Sequence, residues 1–135
     1  QQSACEGKKR CILLYMAPWC PACRASLPIL QSLRRKIPID SQTGLNIVVG
    51  RDRKDSLSDY ALSIGGQVSL DINDSVARKY KIQSLPSWLL LDENKRILQN
   101  FSGSPSGAPS NEIADFLLYK KFKLKKFLES SVVWK

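Results

Sequence analysis

Hydrophobic positions along the chain fall into short runs divided by polar, glycine-bearing and proline-bearing stretches. Ile12-Leu13-Leu14-Tyr15-Met16 is apolar, β-prone and of strand length, and Ala17-Pro18-Trp19 ends it; this predicts a buried strand. Ala22, Ala25, Ile29, Leu30 and Leu33 then recur at helical spacing down to about Lys36. That helix is expected to begin near Cys20, with Pro21 suited to its first turn and Pro28 kinking it. Leu45-Asn46-Ile47-Val48-Val49 predicts a second strand, and Ser56 to about Ile64 a helix stopped by Gly65-Gly66. Gln67 to Asp71 reads as a short extended segment. Asn73 or Asp74 is expected to cap a short helix through Val76, Ala77 and Tyr80. Ser87 to Leu91, a turn at 92–95, and Arg96 to Ser102 predict an antiparallel hairpin. Gly103 to Ser110 reads as a loop, and Ser110 or Asn111 as the cap of a last helix starting at Glu112.

Strands alternating with helices imply a parallel core, and the closing hairpin adds an antiparallel edge. The fold class expected is therefore α/β: a mixed central β-sheet with helices on both faces. Neither an internal repeat nor a domain boundary interrupts the pattern, so residues 1–135 are read as one domain, with 1–10 an N-terminal arm and 121–135 a basic C-terminal extension.

Composition removes whole classes of chemistry. The chain holds no histidine, which excludes metal sites and general-base schemes that need imidazole. No apolar run reaches membrane-spanning length. The net charge of +9 admits nucleic-acid, anionic-lipid or acidic-protein partners. Solubility alone accounts for such a balance, and no nucleic-acid partner is expected. Residues 119–135 carry six lysines against one acid, Glu129. Ile113, Phe116, Leu117, Leu124, Phe127 and Leu128 share one helical face, with Leu118 and Phe122 opposite. A last helix covering the sheet with a basic outer side is the expectation; a membrane-surface helix and a docking surface for an acidic partner are the alternatives.

The chemistry concentrates in Trp19-Cys20-Pro21-Ala22-Cys23. A dithiol that opens and closes needs two sulfurs within bonding distance, and two intervening residues on a first helical turn supply that. Cys20 then sits where unpaired backbone N–H groups favour a thiolate, which makes it the attacking sulfur. Cys23, one turn deeper, is the resolving sulfur that releases the mixed disulfide. The spacing alone is shared with zinc sites and structural pairs. Its setting sharpens it: a buried strand before, a tryptophan beside, a helix with Pro28 after, and much later Ser84-Leu85-Pro86-Ser87 ahead of a strand. A proline in that last position can be cis and can bring backbone beside the cysteines.

Ile12–Leu30, Leu85-Pro86 and Gly103 together resemble thioredoxin-like proteins. With Arg24, Pro28 and the insert ending Val76–Lys81, the chain looks most like the TlpA/ResA branch of extracytoplasmic thiol–disulfide oxidoreductases, over roughly residues 11–120. The resemblance implies a thioredoxin-like three-layer sandwich, Cys20 as nucleophile, Cys23 as resolving thiol and Pro86 as the cis-proline of a substrate groove. It implies a substrate-contacting rim of Trp19, Pro21, Ala22, Leu85 and Pro86, and no metal or organic cofactor. A disulfide-containing protein substrate and a membrane-bound thiol–disulfide electron donor follow as partners. The expected compartment is extracytoplasmic, a bacterial periplasm reached by way of a removed signal peptide, with the cytoplasm left open. Two departures stand out. Thioredoxins often carry a buried Asp on the strand before the motif, where this chain has Leu14, and DsbA-type oxidases carry a His between the cysteines, where this chain has Ala22. The missing His favours a reductant or mid-potential exchanger.

The function expected is protein-disulfide reduction. A net oxidase or isomerase competes with it, as does a non-catalytic or metal-binding module built on a tetrathiolate of Cys5, Cys11, Cys20 and Cys23. Cys5 and Cys11 have three readings: a disulfide closing a small loop, two free thiols, or a second redox relay feeding Cys20.

Overall fold

The computed structural model describes residues 5–37, 42–103, 105–106, 109–118 and 133–134. In chain order the elements are β1 (Arg10–Met16), α1 (Pro21–Ala25), α2 (Leu27–Lys36), β2 (Thr43–Gly50), α3 (Lys54–Ile64), β3 (Val68–Asp71), α4 (Ser75–Lys79), β4 (Ser87–Asp92), β5 (Ile97–Ser102), β6 (Pro105–Ser106), α5 (Ser110–Leu118) and β7 (Val133–Trp134). Five strands form one mixed sheet in the order β3-β2-β1-β4-β5. β1 pairs in parallel with β2 and β2 with β3, whereas β4 is antiparallel to both β1 and β5. The antiparallel hairpin thus joins the sheet through β4, directly beside the central strand.

Side-chain alternation along β1 divides the interior in two. Ile12, Leu14 and Met16 enter a core shared with α2, α3 and α5, through Ile29, Leu30, Leu33, Leu57, Ile113 and Leu117. Cys11, Leu13 and Tyr15 enter a second core with Cys5, Ala77 and Ile82 on the other side. The same alternation splits Trp88 and Leu90 from Leu89 and Leu91 on β4. Helices on both faces make the three-layer α/β arrangement expected from the sequence.

Several local expectations are corrected. The helix after Cys20 is not one kinked rod: it breaks at Ser26, which ends α1 and begins α2. Pro28 consequently falls in the first turn of α2, where its missing N–H costs no hydrogen bond. Ala25, placed on the buried face by its spacing, is exposed at the break. Asp74, rather than Asn73, holds the N-cap position of α4. Asp74 takes a left-handed conformation and makes no side-chain cap. The carboxylate of Asp71 reaches over instead, accepting from the Val76 and Ala77 amides at 3.0 and 3.1 Å. The last helix starts at Ser110, its first bonds running from the Glu112 and Ile113 amides to the Pro109 carbonyl. Leu118, assigned to the outer face, is 1% exposed and lies in the main core. Within the expected loop and tail, β6 and β7 pair as a small antiparallel sheet. Phe122, Leu124, Phe127 and Leu128, and with them the reading of the basic extension, lie outside the described residues.

Candidate functional site

The end of β1 delivers the chain to the cysteines. Ala17 accepts a hydrogen bond from the Cys20 amide at 3.3 Å, and Cys20 occupies the N-cap position of α1 in an extended backbone conformation. There its Sγ accepts the Cys23 backbone N–H at 3.1 Å. This is the N-cap arrangement with sulfur in place of the usual oxygen, and it aims a main-chain dipole at the sulfur. Cys20 is 4% exposed and Cys23 fully buried; both are free thiols. Burial pushes the Cys23 thiol well up, the hydrogen bond with Cys20 pushes it further, and the backbone of Ala17 pulls part of the way back.

The β1/β4 register sets Tyr15 opposite Ser87, so Pro86 stands beside the end of β1, where the chain turns toward Cys20. The Leu85–Pro86 bond is cis, and Leu85 packs against the core that holds both cysteines. Gly103, in a left-handed conformation open to glycine, donates its N–H to the Pro86 carbonyl at 2.8 Å. This contact ties the glycine of the family resemblance physically to the proline. Trp19 is 58% exposed next to Cys20 and donates its ring N–H to the Arg51 carbonyl at 2.8 Å. Arg51, at positive φ in the turn after β2, in turn donates to the Ile82 carbonyl at 2.9 Å. Pro21 is exposed and Ala22 half-buried.

Cys5 and Cys11 are bonded to each other and lie in the second core, across the sheet from Cys20. The four sulfurs therefore do not converge. Among the described residues, no group of three or more His, Cys, Asp or Glu side chains could hold a metal ion. The sheet also separates the disulfide from the free pair, so no direct sulfur-to-sulfur relay joins them.

Leu14 is fully buried in the core with Cys20 and Cys23, so that strand brings no acid to the pair. Two neighbours escape sequence reasoning. Arg51 lies in a polar turn, where nothing in its spacing announces a carbonyl that holds Trp19. Tyr60 occupies an apolar-looking position of α3 and packs against the cysteine core. Its hydroxyl oxygen is shut off from solvent and has no hydrogen-bond partner among the described residues. Such an orphan costs about 1–3 kcal/mol. Burial pushes its ionisation up to about 12, with the charges of Cys23 and then Cys20 adding to the rise and Arg24 opposing it.

Comparison with known proteins agrees with this geometry. The family model for thioredoxin-like proteins matches residues 7–97. The sporulation thiol-disulfide oxidoreductase A of Bacillus subtilis (strain 168) is 29% identical over 96 residues, covering 68% of this chain; the chain spans 58% of that relative's length. The crystal structure of StoA from Bacillus subtilis superposes with a TM-score of 0.62 at 22% identity, covering 82% of this chain and 84% of that one. MTB dsbF gives 0.65 at 18% identity, covering 82% and 79%. The N-terminal domain of PilB from Neisseria gonorrhoeae gives 0.63 at 19%, covering 88% and 82%. Proteins of this kind exchange disulfides without a cofactor. The chain belongs to the thioredoxin-like family and resembles its TlpA/ResA-type thiol–disulfide oxidoreductases.

Proposed function

We propose that the chain reduces protein disulfides through the dithiol of Trp19-Cys20-Pro21-Ala22-Cys23. The observation that carries this reading is the inequality of the two sulfurs. Cys20 Sγ sits at the N-terminus of α1 and receives the Cys23 N–H, whereas Cys23 is fully buried one turn deeper. Cys20 as thiolate attacks a substrate disulfide, forming a mixed disulfide and releasing one substrate thiolate. Cys23 then attacks Cys20 Sγ. The internal disulfide forms, the second substrate thiolate leaves, and two electrons have passed from the dithiol to the substrate.

Trp19, Pro21, Ala22, Leu85 and Pro86 form the rim that an extended substrate segment would meet. The exposed Trp19 ring offers it apolar contact, and Leu85, on the cis bond, packs against the core that holds the cysteines. Turnover requires re-reduction, for which a membrane thiol–disulfide electron donor is the fitting partner. An extracytoplasmic setting, the periplasm of a bacterium, accords with a bonded Cys5–Cys11 pair, since such bonds persist in oxidising compartments. No helix among the described residues is long and apolar enough to cross a membrane.

Reduction of insulin disulfides tests the proposal. Cys20→Ser abolishes it, and Cys23→Ser accumulates a mixed disulfide at Cys20. Full activity in Cys20→Ser refutes the assignment. A reduction potential near that of a strong oxidant, about −120 mV, overturns the direction of electron flow and leaves an oxidase or isomerase.

A further inference from the structure

The Cys20–Cys23 pair has a proton to manage and little to manage it with. To close the disulfide Cys23 must give up its S–H proton, because thiolate is the attacking form. It is fully buried among apolar side chains, Leu14 included, and the chain contains no histidine. The influences on its ionisation are burial, Cys20 and the backbone of Ala17.

A polar group, the Tyr60 hydroxyl, stands in the same apolar surroundings. The Tyr60 ring packs against the core that contains both cysteines, and its hydroxyl is shielded from water without a hydrogen-bond partner among the described residues. The charges that reach this hydroxyl are those of Cys23, Cys20 and Arg24, from the N-terminus and body of α1. Buried hydroxyls nearly always have a partner, so an orphan against the core of a reactive pair asks for a state in which the partner exists. A thiolate at Cys23 is such a state: it is an acceptor, and it arises during turnover.

We propose that the Tyr60 hydroxyl is a positioning residue for the resolving step, donating a hydrogen bond to Cys23 Sγ as the thiolate forms. The inference rests on the dithiol reading of the preceding subsection. In that step the Cys23 S–H bond breaks and its proton passes to the departing substrate thiolate. The Cys23–Cys20 S–S bond forms and the Cys20–substrate S–S bond breaks. Tyr60 keeps its own proton throughout; held in its neutral form to about pH 12, it is a donor at every working pH.

Tyr60→Phe tests this by removing one oxygen and keeping the ring. Resolution of a preformed mixed disulfide at neutral pH is expected to slow about tenfold. Alkylation of Cys20 by iodoacetamide, which does not involve Cys23 ionisation, stays within about twofold. The variant is expected to be no less stable than wild type, because the hydroxyl has no partner to lose. An unchanged resolution rate overturns the proposal. So does a loss of stability with both reactions slowed together, which marks a merely structural hydroxyl. If wild-type protein fails to reduce insulin, the dithiol reading fails, and the resolution rate of a chemically preformed mixed disulfide at Cys20 still decides the role of Tyr60.

Discussion

The hydroxyl of Tyr15 lies 2.6 Å from a carboxylate oxygen of Asp71, buried on the sheet face away from Cys20. Burial by itself would raise the Asp71 carboxyl. Hydrogen bonds from Tyr15, the Val76 and Ala77 amides and Ser75 outweigh it and hold the group below the usual carboxylate range. One carboxylate thereby joins the central strand, the end of β3 and the start of α4, the helix that covers this face. Asp71→Asn keeps the shape but loses the charge and turns an N–H₂ toward donors. The expected loss is about 2–3 kcal/mol at neutral pH. Its pH dependence has a definite sign. A depressed carboxylate stabilises the fold above its unfolded value of about 3.9, and that contribution fades as pH falls through the lower folded value. Urea unfolding of both proteins across the acid range is expected to show a gap that is full at neutral pH and narrows below about pH 4. A gap that does not change with pH assigns the effect to packing instead.

Gly50 follows from the same contact. A Cβ built there would run into the Tyr15 hydroxyl and press on Asp71 Cβ at 3.1 Å. The Tyr15 ring is fully buried and cannot swing clear. Gly50→Ala is therefore expected to break the Tyr15–Asp71 hydrogen bond and destabilise by about 1–3 kcal/mol, the range of overpacking in a core. The double variant Gly50→Ala/Tyr15→Phe, which clears the oxygen away, is expected to recover part of the loss in thermal unfolding. Additive losses would place the clash elsewhere.

These contacts also mark where the sequence can be read and where it cannot. The strand over Ile12–Met16, the cysteine helix and the proline before β4 all announce themselves through local periodicity and spacing, and the architecture follows from their order. Helix starts are harder to place, because the decisive partner is distant or is backbone. Asp71 caps α4 from the preceding strand, and Pro109 supplies a carbonyl to α5, neither of which the preference for a capping side chain just before the helix would reveal. Pro28 reads as a kink until the break at Ser26 shifts it into a first turn. In the site, Cys20, Cys23 and Pro86 carry a pattern, whereas Arg51 and Tyr60 act across 32 residues of chain or from an ordinary helical face, with no pattern to carry.

Trp19 is held by a single ring N–H bond to Arg51, while more than half of its surface remains open. If the ring serves as the apolar contact for a protein substrate, its two features separate by mutation. Trp19→Ala removes a large exposed aromatic, and aromatic anchors of this kind typically contribute more than 1 kcal/mol to an interface. KM for insulin reduction is expected to rise by about tenfold, with the rate toward a small aromatic disulfide changed little. Trp19→Phe keeps most of the apolar surface and loses only the bond to the Arg51 carbonyl, so its KM is expected to lie between the two. Equal losses on protein and small disulfides would mean that Trp19 shapes the cysteine pair and not the docking of substrate.

Leu14 occupies the strand position where related proteins often carry a buried acid, and here it is wholly buried with the cysteines. Leu14→Asp asks what that substitution costs. The leucine contributes about 2–5 kcal/mol as packed core, and a carboxyl without a built hydrogen-bond partner adds the cost of a buried polar group. Burial raises such a carboxyl, so it remains largely neutral at acid pH and ionises only as pH rises. The fold is therefore expected to be several kcal/mol weaker than wild type, and weaker still as pH rises through the shifted value, the opposite trend to Asp71. Where the Leu14→Asp variant stays folded, its introduced carboxylate, once ionised in the cysteine core, is a proton acceptor that leaves less for the Tyr60 hydroxyl to do. The resolving step in Leu14→Asp is then expected to be less sensitive to Tyr60→Phe than it is in the parent, by a double-mutant cycle on the resolution rate. Additivity of the two changes would show that the introduced carboxylate and the Tyr60 hydroxyl do not act on the same sulfur.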